Sequence, residues 1–252
     1  MSSAMTAPSL PLDAPSPSAP PLAAPSPALP AAAPAPTGLL DRLLRAPTAL
    51  AREIADEGAP LPLVRGLVLT TAAGAALYGV AVGLQGGLVQ SLLTGIKLPL
   101  VLLGGAALSL PALHVACAMS GVRLGIRRLG ALVLQALASA SVAMAGLAPF
   151  ITVWWLSVSV DAASPWAIYR RVVLAAVGVA AIGGLVGASR LARALPLRAL
   201  APWTVILGLS TVQLAWLVRP LVGMPDRPLV LLRPLESDAL TEILKALAAV
   251  LS

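Results

Sequence analysis

Five long stretches without a single charged residue, 66–96, 98–122, 129–160, 172–189 and 199–218, constrain this chain more than anything else in it. A bilayer core of about 30 Å is crossed by about 20 apolar residues in a helix. Helix is also the form that satisfies every backbone N–H and C=O inside one segment where water is absent. The two longest stretches, 31 and 32 residues, are too short for two crossings and a turn, so five spans follow. The expected fold is all-α, a polytopic membrane protein with five transmembrane helices and short interfacial amphipathic helices. The surplus length of the first stretch is assigned to one of these. After Gly86 and Gly87, Leu88, Val89, Leu92, Leu93 and Ile96 oppose Gln90, Ser91 and Thr94, which predicts a short surface helix leading to a loop at Lys97.

Composition agrees with the spans. Hydrophobic residues make up 58% of the chain and charged residues 11%, against about 25% charged in an average soluble domain. The net charge of +7 does not indicate nucleic-acid binding, because the basic residues fall in small clusters between apolar runs with almost no aromatics beside them. They fit a topology instead. With the N-terminus inside, the inner loops hold Arg123, Arg127, Arg128, Arg190, Arg193 and Arg198, and the outer loops hold Lys97, Arg170 and Arg171. The excess of positive residues favours a cytoplasmic N-terminus and an outer C-terminus. Arginine far exceeds lysine and alanine is abundant, which we read as the coding bias of a GC-rich bacterial source; the expected site is the inner (plasma) membrane.

The flanks divide into three. Residues 1–37 hold 11 of the 24 prolines and one charge, Asp13, a composition that predicts a disordered tail. With no basic start and no unbroken apolar run, it does not read as a secretory signal. Residues 38–62 form an amphipathic segment. Leu39, Leu40, Leu43 and Leu44 oppose Asp41, Arg42 and Arg45, and Thr48 is placed to cap a second short helix ending at Gly58. The segment is expected at the membrane surface or packed on the bundle. After the five-helix domain of residues 63–219, residues 220–252 read as a strap pinned by Pro220, Pro225, Pro228 and Pro234. A final amphipathic helix carries Leu240, Ile243, Leu244, Leu247 and Leu251.

Few residues within the spans carry chemistry. His114 is the sole histidine and Cys117 the sole cysteine, and no Asp or Glu falls inside the five stretches. No metal site can be built from that set, general acid–base work lacks its side chains, and no hydrolase, phosphate-binding or dinucleotide motif is present. We expect no enzyme and no cofactor. His114 is a proton-relay candidate, set against a neutral imidazole bonded to a carbonyl freed by Pro111. Gln135 and Gln213 are further intramembrane polar candidates. Gly79, Gly83 and Gly87, with Gly183 and Gly187, have helix-packing spacing; within one chain they join its helices, and between chains they would form a homo-oligomer seam. Near the end, Trp216 and Arg219 anchor the fifth span, Pro220 forbids a further helical turn, Gly223 to Asp226, with Pro225, make a chain turn, and Arg233 and Glu236 close the strap, as a structural tail or a docking surface.

The C-terminal stretch "AWLVRPLVGMPDRPLVLLRPLE", with "IKLPLVLLGGAALSLPALHV" upstream, resembles a family of uncharacterised bacterial five-pass membrane proteins ending in W-x-x-R-P, a Gly-x-Pro-Asp turn and an R-P-x-E strap. The resemblance covers about residues 63–252. Where that family has aromatics after the R-P pair, this chain has Leu221 and Leu229. In layout it is also similar to the Yip-type five-pass proteins, an analogy that transfers no site. The expected function is a non-enzymatic scaffold or partner subunit for other membrane components, with the lipid bilayer and a membrane protein as partners. The alternative is a transporter or channel subunit for a small solute or ion.

Overall fold

The computed structural model of the protein describes residues 38–161 and 165–218. The proline-rich tail, the strap from Arg219 onward and the final amphipathic helix lie outside them. The described chain is helical throughout, with α1 (Leu39–Arg45), α2 (Pro47–Asp56), α3 (Leu61–Gly83), α4 (Leu88–Met119), α5 (Ile126–Asp161), α6 (Pro165–Leu191) and α7 (Leu197–Leu217). From α3 to α7, all five are long and apolar enough to cross a membrane. The molecule is an all-α polytopic membrane protein in form.

The helices start where the chain chemistry lets them. Pro47 sits at the first position of α2 and Pro62 in the first turn of α3, where a missing N–H costs nothing. Thr48, expected to cap α2, lies inside it: Ala46 is the cap residue and no side chain bonds the free N–H groups. Gly58 and Gly87 have φ of +91° and +88°, values that favour glycine at the two turns leading into α3 and α4.

The largest departure from expectation lies at residues 88–96. They are not a separate surface helix but the first turns of α4, 32 residues long and about 48 Å by its rise per residue. Gln90, Ser91, Thr94 and Lys97 are all buried, Lys97 to 6% exposure, so Lys97 is inside a spanning helix rather than in an outer loop. The physical reason is α3. A Cβ on Gly79 would stand 2.6 Å from the Thr94 carbonyl oxygen, and one on Gly83 2.6 Å from the Ser91 Cα. The bare backbone of α3 thus covers the polar face of α4, and Ser91 Oγ donates to the Val80 carbonyl at 2.7 Å. Gly87 has open space around it and is a turn residue, not a packing residue.

α3 packs on both α4 and α5, α6 packs on α5 and α7 on α4. The contacts make a row, α6–α5–α3–α4–α7, with α4 and α5 also touching. Each joint uses small residues. Gly74 lies against the Ser141 backbone, Gly183 and Gly187 against Ala140 and Ala136, and Gly105 against Thr211. The glycine spacings therefore join helices of one chain. Two apolar clusters complete the core. One gathers Leu50, Ile54, Leu67, Leu113, Leu129 and Trp203 at the end where α1 and α2 lie; the other gathers Tyr78, Val82, Met144, Ile151 and Val179 towards the opposite end. Tyr78 Oη donates to the Ala176 carbonyl at 2.5 Å and ties α3 to α6.

Candidate functional site

Polar chemistry concentrates in two places, and they sit at opposite ends of the bundle. At the first end, α3 and α5 begin and α4 ends, and the connection from α6 to α7 passes there too. This end carries Arg42, Arg45, Arg52, Arg65, Arg123, Arg127, Arg128, Arg190, Arg193 and Arg198, whereas Arg170 and Arg171 alone among the described arginines lie towards the other end.

The α1–α2 hairpin is clamped onto this end. Leu43, Leu50 and Ile54 are fully buried, while Leu40 and Leu44, at 52% and 58% exposure, leave half of the predicted leucine stripe facing outward. Gln135 Nε2 donates to the Pro47 carbonyl at 2.6 Å, and Arg128 Nη1 donates to the Ala55 carbonyl at 2.9 Å. Arg42 pairs with Glu53 across the hairpin, and Arg45 Nε lies 2.6 Å from Asp41 Oδ1. Arg198 Nη2 reaches the Ser120 carbonyl at 2.6 Å, joining the start of α7 to the end of α4. Of the expected intramembrane polar residues, Gln135 thus holds a surface element in place.

At the other end, the buried face of α4 forms a polar ladder. Thr94 Oγ1 donates to the Gln90 carbonyl at 2.8 Å, Gln90 Nε2 approaches Thr94 Oγ1 at 3.2 Å, and Lys97 lies one turn further on. With Gly83 against Ser91 and Gly79 against Thr94 in the α3–α4 joint, Lys97 lies beyond Thr94 on the side away from the end of α3. Sequence reasoning read Gln90, Ser91 and Thr94 as the wet side of a surface helix and placed Lys97 in the loop after it.

No family model, curated protein or solved structure matches this chain.

The remaining candidates scatter. His114 is half-buried on α4 and its Nδ1 has no hydrogen-bond partner among the described residues. The expected bond to a freed carbonyl is not made. The carbonyl that Pro111 leaves free belongs to Ala107, two turns back, while a helical side chain covers only the turn before it. Trp203 Nε1 on α7 and Ser141 Oγ on α5 are likewise buried without partners. Gln213 and Trp216 are half-buried in the last turns of α7. Arg219, Pro220, Gly223, Pro225, Asp226, Arg233 and Glu236 lie outside the described residues. Among the described residues no three of His, Cys, Asp and Glu come together in a metal-binding group.

Proposed function

We propose that this protein is a non-enzymatic membrane subunit that binds another membrane protein through the flanks of its helix row. One observation carries the reading: only 11% of the most apolar window of α7 is buried, so the helix turns Val205, Ile206, Leu209 and Val212 outward. Its inward side runs from Ala199, Leu200 and Trp203, buried in the core at the hairpin end, to Thr211 and Leu214 against Gly105 and Gly104 of α4. Hydrophobic burial adds little between helices in lipid, and a helix packed on one side only leaves its outer face available to a second protein. The C-terminal strap, with its R-P pairs, continues from this helix and belongs to the same docking surface in the proposal. Basic residues gathered at the hairpin end support placing that end in the cytoplasm of a bacterial cell, with the C-terminus outside.

The test is photo-crosslinking in native membranes from Leu209 and Val212, with Leu69 and Leu77 on α3 as lipid-facing controls. A discrete protein adduct from α7, weakened when the chain is cut after Val218 and the strap is removed, supports the reading. Lipid adducts alone from all four positions count against it.

A second reading, a small-solute transporter or channel subunit, draws on Lys97. A lysine at 6% exposure beside Gln90, Ser91 and Thr94 is the kind of intramembrane charge that marks a solute path. Flux of protons or small anions in liposomes, abolished by Lys97→Met, would favour it over the partner reading.

A further inference from the structure

At the arginine-rich end a groove of about 900 Å³ opens between the α2–α3 connection, the start of α3 and the first turns of α5, with Leu110 of α4 at its back. Its walls are apolar, formed by Leu61, Val64, Leu110 and Leu134, and its rim carries Arg127, Arg128 and Glu57. The rim charge is unbalanced. α5 begins at Ile126 with no acidic residue in its first turn, so Arg127 and Arg128 stand at the positive end of a 36-residue helix, where cations are disfavoured and anions favoured. The ion pairs among the described residues are Arg42 with Glu53 and Arg45 with Asp41, and neither involves Glu57 or the two rim arginines. Arg128 places one amino group on the Ala55 carbonyl, which holds its guanidinium at the rim with further N–H groups to offer. Arg127 is exposed. Two guanidiniums and a helix start against one carboxylate leave a net positive rim above an apolar cleft.

We propose that this groove binds an anionic phospholipid, its phosphate between Arg127 and Arg128 and one acyl chain along Leu61, Val64, Leu110 and Leu134. A soluble anion would satisfy the rim and leave the walls uncovered, whereas a phospholipid covers both. The helix end also lies where headgroups meet hydrocarbon, and basic pockets between spanning helices suit such headgroups. Arginine pairs suit phosphate because two N–H groups can meet two oxygens at once. The site requires no protein partner, so it stands or falls apart from the docking role of α7.

The experiment is native mass spectrometry of the full chain in detergent, titrated with phosphatidylglycerol or with phosphatidylcholine of the same acyl chains. The intact protein should retain one phosphatidylglycerol about tenfold more tightly than phosphatidylcholine, in keeping with a charge-assisted contact. Arg127→Glu, at an exposed position, should remove that preference. Arg193→Glu, an equal charge change at the same end but away from the groove, should keep it, and glycerol phosphate should fail to compete. Equal retention of the two lipids by the intact protein would overturn the proposal. So would equal losses in both variants, which indicate diffuse surface charge, or displacement by glycerol phosphate, which indicates a soluble-anion site.

Discussion

At Gly79 a single hydrogen atom decides whether α3 and α4 can meet. A methyl group there would lie 2.6 Å from the Thr94 carbonyl oxygen, a backbone atom that cannot step aside without moving the helix. Gly79→Ala should therefore destabilise the protein by about 1–3 kcal/mol, read as a lower unfolding midpoint in detergent. Gly208 on α7 has nothing within 4 Å of the same position, and Gly208→Ala should be neutral or stabilising by about 0.5–1 kcal/mol. Equal effects at both glycines would mean that close backbone approach does not govern the α3–α4 joint. Gln135 is a residue of another kind. Gln135→Leu keeps its bulk but deletes the donor to the Pro47 carbonyl, and a loss of about 1 kcal/mol is expected, confined to the hairpin and leaving the spans unchanged. Hydrogen exchange that loosens at residues 47–56 and nowhere else would match that expectation; loosening spread through α5 would not.

At the scale of the element, the α1–α2 hairpin owes its place to Leu43, Leu50 and Ile54, each at 1% exposure or less. Leu50→Ala with Ile54→Ala removes most of that contact, at a cost of about 2–5 kcal/mol for each large-to-small change. The hairpin should then leave the bundle, and trypsin should cut after Arg45 and Arg52 well before it attacks the spans. Cleavage at the parental rate would show that the polar bonds of Gln135 and Arg128 suffice to hold it. The five spans were legible in the uncharged runs, because they follow from the cost of burying charge; of the two short helices before them the leucine spacing gave the existence but not the packing, since Leu40 and Leu44 of that stripe face outward and Leu50 and Ile54 carry the contact. The first turns of α4 were not legible. Gln90, Ser91 and Thr94 opposite Leu88, Leu92 and Ile96 make an amphipathic pattern that looks the same whether its polar side meets water or a glycine-lined helix. Only the approach of Gly79 and Gly83 separates the two, and that is a tertiary fact. The same limit hid Lys97, which reads as a loop residue as long as the helix before it is thought to end. It also hid the lipid groove, whose Glu57, Val64, Leu110 and Arg127 lie far apart in the chain and meet only where three helices converge.

For the whole molecule, the row α6–α5–α3–α4–α7 makes α3 the centre and leaves the fourth and fifth spans as its flanks. The second and third spans run antiparallel and α3 packs on both, so weakening the α3–α4 joint should loosen α4 and α7 together from α3 and α6, with the smaller direct contact of α4 on α5 remaining. All of this presupposes that α4 crosses the membrane completely, from the turn at Gly87 to the turn after Met119, although its first ten residues carry a surface-like pattern. The measurement that tests this most directly is sided labelling of single cysteines in membranes, on a Cys117→Ser background. Leu88→Cys stands at the first position of α4, Gly125→Cys after the helix, and Ala192→Cys after α6. The account predicts that a membrane-impermeant maleimide labels Leu88→Cys from one side, and both Gly125→Cys and Ala192→Cys from the other. Labelling of Leu88→Cys and Gly125→Cys from the same side would contradict it, and so would labelling of Ile96→Cys as fast as Leu88→Cys, the result for a surface helix that ends at Lys97.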